Sequence, residues 1–218
     1  LTHYDYVQGQ GTRYYLNRID LANPRAPVVR PAVNIPGQFL EASADGRYIY
    51  TMLSDYSGGQ TTTKLYALAL IGDAAYLRST TSLAGYAYWP RYSNGFFYSV
   101  NYSYDDARGG NNPGYRLQIV DVRNPRAIAV RGSAVTTGHG WLVGAENGYV
   151  FVSDGYMNGL SIYDVSNPDR PVFDRAFRTQ GWVQDVTIAG GIAHFASGYY
   201  GVESLALWSL PAPTVIAP

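Results

Sequence analysis

Residues 117–125 read LQIVDVRNP, a run of β-forming side chains that stops at an Asn-Pro pair. Asparagine favours turns and proline cannot donate a hydrogen bond to a neighbouring strand, so this pair ends a strand at a turn. Leucine-led segments of this kind lie at residues 16–20, 65–69, 117–121, 160–164 and 205–209. Their leucines are 43 to 52 residues apart, a period typical of repeat proteins whose unit is one small sheet.

The fourth repeat predicts the strands of one unit, which we place at residues 160–165, 171–177, 182–188 and 192–197. Asn167-Pro168 ends the first of these strands. Gly181 precedes the third, whose run of apolar and β-branched residues is typical of a strand buried on both faces and predicts the innermost position. Gly190-Gly191 then forms a tight hairpin, because two glycines tolerate the positive φ angles of such turns.

The same glycines and hairpin signals recur in the other units, at Gly37, Gly85, Gly140, Asp45-Gly46, Asn94-Gly95 and Asn147-Gly148. Short strands at this period, with no helical stretch, predict an all-β fold, a β-propeller of four-stranded antiparallel blades in a single domain. A β-sandwich is the alternative, but it gives no reason for a repeated order of turns. About five blade units are predicted, at approximately residues 1–36, 37–84, 85–139, 140–180 and 181–218.

The leucine-led segments resemble the repeat named for Leu-Val-Ile-Val-Asp, the LVIVD repeat of β-propellers in bacterial and archaeal surface or secreted proteins. Residues 117–125 carry the resemblance most clearly, and residues 160–168 and 19–24 carry it as well. The resemblance implies a β-propeller fold and a secreted, periplasmic or cell-surface location. It implies no particular chemistry.

The aspartate of the repeat is predicted to be a turn residue. Ala69 and Ser209 stand in its place in two copies, so it serves no role needed in every blade. Asp20, Asp121 and Asp164 are therefore expected to accept hydrogen bonds from nearby backbone N–H groups.

The first blade lacks an innermost strand, because the chain before residue 36 supplies only the last three strands of a unit. Propellers close a ring to remove exposed sheet edges. We therefore expect the chain to be the C-terminal part of a larger propeller, with the missing blades contributed by upstream sequence of the same precursor or by another chain. The alternative is five blades that close on themselves, with residues 214–217 as an outer strand.

Composition narrows the classes of partner. Sixteen basic residues balance sixteen acidic ones, which argues against a nucleic-acid partner and against docking on anionic lipid. The mean hydropathy of −0.16 argues against membrane insertion. Cysteine is absent, so no disulfide or thiolate metal site is available, and no metal or other cofactor is predicted.

The segments around the innermost strands are predicted to form a binding surface for a protein or a polysaccharide. Tyrosine and tryptophan there offer flat apolar area with a polar edge. The predicted ligand-binding residues are Gln38, Tyr86, Trp141 and Trp182 at the starts of innermost strands, with Tyr104, Tyr156 and Tyr199 in the neighbouring loops. The alternative is that the strand aromatics only pack between blades.

Catalytic signals are sparse, and no Gly-x-Ser-x-Gly elbow, phosphate-binding loop or His-x-x-x-His metal pair occurs. His139 precedes an innermost strand, and Glu41 and Asp185 are predicted at the same position of two innermost strands. These three residues are the candidates if the protein is a polysaccharide lyase or hydrolase instead of a binding module. Asp105 and Asp106 would be the calcium ligands if the longest loop held calcium, although a solvated acidic loop is the simpler interpretation. A third alternative is a structural subunit of a surface layer or filament.

Overall fold

The structure is a computed structural model that describes residues 2–9, 11–55, 61–103, 114–136, 140–154 and 159–207. Within these ranges it contains twenty β-strands, one short 3-10 turn at Gly198–Tyr200 and no α-helix. No helix of this part of the chain therefore has the length and apolarity needed to cross a membrane. The all-β prediction is confirmed.

Three four-stranded sheets occupy the middle of the chain. The first of them contains β6 (Gln38–Ala42), β7 (Tyr48–Asp55), β8 (Thr62–Ile71) and β9 (Ala74–Ala84). The second contains β10 (Tyr86–Ser93), β11 (Phe96–Tyr102), β12 (Tyr115–Asp121) and β13 (Ala129–Val135). The third contains β14 (Gly140–Glu146), β15 (Tyr149–Asp154), β16 (Gly159–Asp164) and β17 (Val172–Arg178).

Three-stranded sheets lie at both ends. The N-terminal one contains β1 (Thr2–Val7), β2 (Gly11–Leu16) and β5 (Val33–Ile35), and the short pair β3 (Ile19–Asp20) and β4 (Val28–Val29) continues it. The C-terminal one contains β18 (Asp185–Ala189), β19 (Ile192–Ala196) and β20 (Val202–Ala206). Every pairing is antiparallel and each of these five sheets follows chain order, which is the arrangement of propeller blades.

The core lies between consecutive blades, as the repeat predicts. Phe151 and Leu160 of the fourth blade, for example, pack against Val183 and Phe195 of the fifth. A buried hydroxyl adds a directed link between the second and third blades, because Tyr50 donates to the carbonyl oxygen of Val122 at 2.9 Å. Burial raises the pKa of Tyr50 to about 12, so this donor stays protonated at any physiological pH.

The same turn chemistry appears in three blades. The carboxylates of Asp20, Asp121 and Asp164 each accept a hydrogen bond from the backbone N–H two residues further on, at 2.8 to 3.1 Å. The prediction that these aspartates are turn residues is therefore confirmed. The predicted hairpins at Asn94-Gly95 and Asn147-Gly148 are also confirmed, since the two asparagines adopt positive φ angles of 50° and 52°.

The fifth repeat begins at Val202 and not at Leu205. Leu207 donates its N–H to the carbonyl of Gly191, as Val165 donates to Gly148 in the fourth blade. This register makes Val202 the counterpart of Leu160. The predicted start at Leu205 is wrong, because the hydrogen-bond ladder and not the identity of the side chain fixes the position of the repeat.

The terminal blades each leave one face uncovered among the described residues. Residues 160–163 of β16 are all buried, whereas exposed and half-buried residues alternate along β20. In the N-terminal blade, β1 occupies the position of the second strand of a complete blade. Thr2 of β1 pairs with Leu16 of β2, as Val100 of the second strand β11 pairs with Leu117 of β12. A closed ring would bury both faces of each blade. The described residues thus form an open arc, and completion by further blades stays a prediction.

Asp121 gives the stability a pH dependence, and its partner Arg131 links the third blade to the fourth. Its hydrogen bond from the Arg123 guanidinium, helped by the Arg123 backbone N–H and by Arg131, lowers the pKa of the carboxyl to about 2. Arg131 also binds Asp169 of the next blade at 2.6 Å. The folded-state pKa lies below the ordinary value of 3.8, so this stabilisation is present above that pH and is lost as the pH falls toward about 2.

Asp121→Asn is expected to lower the free energy of unfolding at neutral pH by about 1 kcal/mol, after allowance for solvent screening. The difference from wild type should shrink in urea titrations between about pH 5 and pH 2. Asp164→Asn is the matched control, because Asp164 makes the same turn bond but is followed by Ser166 where the third blade has Arg123. Equal, pH-independent losses in both variants would contradict the assignment.

Candidate functional site

Four glycines set the start of the innermost strands β6, β10, β14 and the segment before β18. A Cβ at Gly37, Gly85, Gly140 or Gly181 would meet a backbone carbonyl oxygen of the adjacent strand at 2.1 to 2.6 Å. Gly37 and Gly85 also have φ angles near +78°, which side chains rarely allow. The glycines predicted from the sequence therefore permit a backbone approach that fixes the residues after them.

Buried polar side chains hold the entry to β10 in place. Gln118 and Asn101 both donate to the carbonyl oxygen of Ala84, at 2.8 and 3.1 Å. Thr63 donates to the carbonyl of Gly85 at 2.8 Å and accepts from the N–H of Ala87 at 3.1 Å. Because buried hydrogen-bonding groups must find partners, this network specifies one path for the chain into the third blade.

Each of β6, β10 and β14 carries a bulge in its pairing with the next strand. In β10 the register shifts between Tyr88 and Arg91, around Trp89 and Pro90. Trp89 has a φ of 32°, a strained value for a bulky residue, and the residue is 69% exposed. The bulge re-aims residues of β10, and strained backbone of this kind is concentrated at functional sites.

Three tryptophans from three successive blades meet at this bulge. The ring centroids of Trp89 and Trp141 are 6.4 Å apart at an interplanar angle of 85°. Those of Trp141 and Trp182 are 4.7 Å apart at 56°. Trp182 is 44% exposed, so the group presents indole surface to solvent instead of closing into core.

Arg91 and Asp185 complete this group with opposite charges. The Arg91 guanidinium Nη2 lies 3.2 Å from the Asp185 carboxylate Oδ1. The two residues come from β10 and β18, which belong to blades separated by the blade of β14. Innermost strands of non-adjacent blades come this close only around the common axis of a propeller. We call Trp89, Arg91, Trp141, Trp182, Gln184 and Asp185 the tryptophan site.

Two adjoining cavities open here. One of about 310 Å³ is lined by Trp89, Arg91, Trp141, Leu142, Trp182 and Gln184. The other, of about 520 Å³, lies between β6 and β10 and shares Trp89 and Arg91 with the first. Gln38 and Tyr86 line the second cavity. The structure thus places four of the predicted ligand-binding residues, namely Gln38, Tyr86, Trp141 and Trp182, along two cavities that share Trp89 and Arg91.

The remaining predicted residues are not part of this group as described. Tyr199 is fully exposed on the 3-10 turn and lines neither of the two cavities. Tyr104, Tyr156, His139, Asp105 and Asp106 lie outside the described residues. The predictions that concern them, including the calcium site, stay predictions.

The two predicted carboxylate candidates occupy different positions. Glu41 pairs with the third residue of β7. In the fifth blade the third residue of β19 is His194, and it pairs with Thr187 and not with Asp185. The prediction of equivalent positions is therefore wrong, because residues 181–184 lie outside the strand and Asp185 is only the first residue of β18, paired with Ala196. The Glu41 carboxylate accepts the backbone N–H of Ala42 at 2.9 Å, and that of Asp185 is engaged by Arg91.

Sequence reasoning missed Trp89 and Arg91 as site residues. A signal for them exists, since proline inside a strand pattern marks a bulge, and Pro90 stands between them. The partner of Arg91 has no such signal, because Asp185 lies 94 residues further along the chain.

Antiparallel meander sheets that pack face to face about an axis define the chain as a β-propeller. The sequence model of the LVIVD repeat matches residues 137–179, which confirms the resemblance seen in the leucine-led segments. No curated protein matches the sequence.

Solved structures share the fold. A periplasmic gluconolactonase of Pseudomonas aeruginosa aligns with a TM-score of 0.58 and 17% identity, over 94% of this chain and 64% of that one. A protein from Lactobacillus plantarum aligns with a TM-score of 0.60 and 15% identity, over 93% of this chain and 60% of that one. The chain spans less than two thirds of the length of either structure. At such identities the likeness shows the fold alone.

Proposed function

We propose that this propeller is a binding module whose ligand, a polysaccharide segment, lies on the tryptophan site. The observation that carries the proposal is the meeting of Trp89, Trp141 and Trp182 beside two open cavities. Indole faces pack well against the C–H faces of sugar rings, and the nearby polar side chains can bind hydroxyl groups. A secreted, periplasmic or cell-surface location forms part of the proposal.

The size of the depression favours a saccharide over a folded protein partner. Cavities of about 310 and 520 Å³ have the volume of small-molecule sites. A protein interface needs a broader surface, of roughly 800 Å² on each partner. A few sugar rings of a longer chain fill such a depression, while the rest of the polymer remains in solvent.

A hydrolase is the second candidate, favoured by the solved structure named as a periplasmic gluconolactonase. The two candidate carboxylates within the described residues offer it little support, since Glu41 and Asp185 lie at non-equivalent positions of their strands and Glu41 accepts a backbone N–H. Turnover assays on the same oligosaccharides separate the candidates, because product formation would favour the hydrolase. The third alternative, a subunit of a surface layer or filament, predicts self-assembly that light scattering would detect.

Trp89→Gly is expected to weaken oligosaccharide binding by about 10-fold, because it removes an exposed indole from the site. Its free energy of unfolding should stay within about 1 kcal/mol of wild type, since glycine relieves the positive φ of this position while loosening the unfolded chain. The measurements are binding to an oligosaccharide panel and urea unfolding.

Tyr76→Ala is the matched control, because Tyr76 is 51% exposed on the outer strand β9, away from the site. It should leave binding unchanged. If Trp89→Gly binds every oligosaccharide as wild type does, the tryptophan site is not the binding site.

A further inference from the structure

We infer that the tryptophan site selects an acidic saccharide, whose carboxylate replaces Asp185 as the partner of Arg91. This inference rests on the proposed function and adds the charge class of the ligand. Its basis is the position of Arg91, which lines both cavities and lies two residues from Trp89.

Arg91 is the only cationic side chain among the described residues that line the two cavities. The chain as a whole is neutral, so it offers no general attraction for anions. Any preference for a negatively charged ligand must therefore come from this guanidinium. Arginine is also the side chain best suited to carboxylates, because its planar N–H groups match both carboxylate oxygens.

The ion pair between Arg91 and Asp185 is one that a ligand carboxylate can replace. Its side chains are 45% and 68% exposed, and the contact runs from one nitrogen to one oxygen. Exposed ion pairs of this kind contribute little to stability. A ligand carboxylate that binds both guanidinium nitrogens inside a depression walled by indoles would form a stronger pair than the present one.

The chemistry of a uronic acid fits this arrangement. Its ring presents C–H faces for stacking on Trp89 or Trp141, and its carboxylate projects from the ring edge. Since Arg91 lies beside Trp89 across the bulge, a ring stacked on that indole would bring its carboxylate toward the guanidinium. Gln184 supplies a further donor and acceptor for the ring hydroxyls.

The experiment compares wild type with Arg91→Gln, Asp185→Asn and the control Arg78→Gln, which alters an exposed arginine on the outer strand β9. The probes are tetramers of galacturonate and mannuronate, a hyaluronan tetramer, the neutral tetramers of galactose and glucose, and hexaglutamate. Binding is measured by calorimetry at two salt concentrations.

Wild type is expected to prefer at least one acidic tetramer over both neutral tetramers, with affinity that falls as salt rises. Arg91→Gln should weaken that acidic tetramer about 10-fold and change neutral binding less than about 2-fold. Asp185→Asn should strengthen acidic binding about 3-fold or more, because it frees the guanidinium without removing it. Arg78→Gln should match wild type.

Neutral tetramers that bind as well as acidic ones would overturn the charge inference and leave the proposed function standing. An Asp185→Asn variant that gains nothing would overturn the exchange of partners. A preference for hexaglutamate over every saccharide would replace the saccharide by an acidic peptide. Absence of binding to all the oligosaccharides would reject both the inference and the proposed function.

Discussion

Replacing Gly85 by alanine is expected to destabilise the protein by about 3–5 kcal/mol, a large part of the stability of a typical domain. The new Cβ would lie 2.2 Å from the carbonyl oxygen of Tyr102, which belongs to the paired strand β11. Relief requires moving the start of β10 away from the buried strand β11. That movement would break the hydrogen bonds of Gln118, Asn101 and Thr63 to the Ala84-Gly85 segment, each worth about 1 kcal/mol.

The positive φ of Gly85 accounts for only part of this loss, and Gly46→Ala isolates that part. Gly46 has a φ of +67°, but a Cβ there would meet nothing within 4 Å. Its substitution should cost only about 1 kcal/mol, the backbone penalty alone. Urea unfolding of the two variants measures the difference. Losses of equal size would show that the close approach to Tyr102 does not stabilise the blade entry.

Phe151→Ala is the second large expected effect, with a loss of about 3–5 kcal/mol. Phe151 is fully buried between the fourth and fifth blades, where it packs with Leu160, Val183 and Phe195. Removal of the phenyl ring leaves a cavity between the two blades. The strands around it cannot move in to close it, because backbone hydrogen bonds within each blade hold them in place. The loss should appear as a lower urea midpoint with an unchanged slope.

Phe173→Ala provides the comparison, since Phe173 lies on the outer strand β17 and is 44% exposed. It should lose less than about 1 kcal/mol. If the two phenylalanine variants lost similar amounts, the stability of the arc would not depend on packing between blades. The repeat model of the fold, in which each blade is stabilised by its neighbours, would then need revision.

The regular features of the fold were predictable because each depends on residues close in the chain. Asp121 and Asn124 form their turns with N–H groups two residues away, and Asn147-Gly148 needs only its own φ angles. The spacing of the leucines did not predict the register of the last repeat. The fifth repeat was placed at Leu205 and not at Val202, because only the pairing of β19 with β20 fixes the register.

The site was predictable in part. Trp141 and Trp182 were recognised from their place after the glycines that open innermost strands, and they lie together. Trp89 was missed as a site residue, because its exposure depends on a bulge that shifts β10 by one residue. The pairing of Arg91 with Asp185 joins groups 94 residues apart, and no local pattern encodes that contact.

The sequence by itself determined the all-β repeat and its turns, because hydrophobic alternation, glycine and Asn-Pro act over a few residues of chain. Only the tertiary structure decided which side chains share the axis. Strands that are distant in sequence converge there, and a bulge of one residue changes which groups meet. Trp89, Trp141 and Trp182 form one surface for that reason, and Arg91 meets Asp185 beside it.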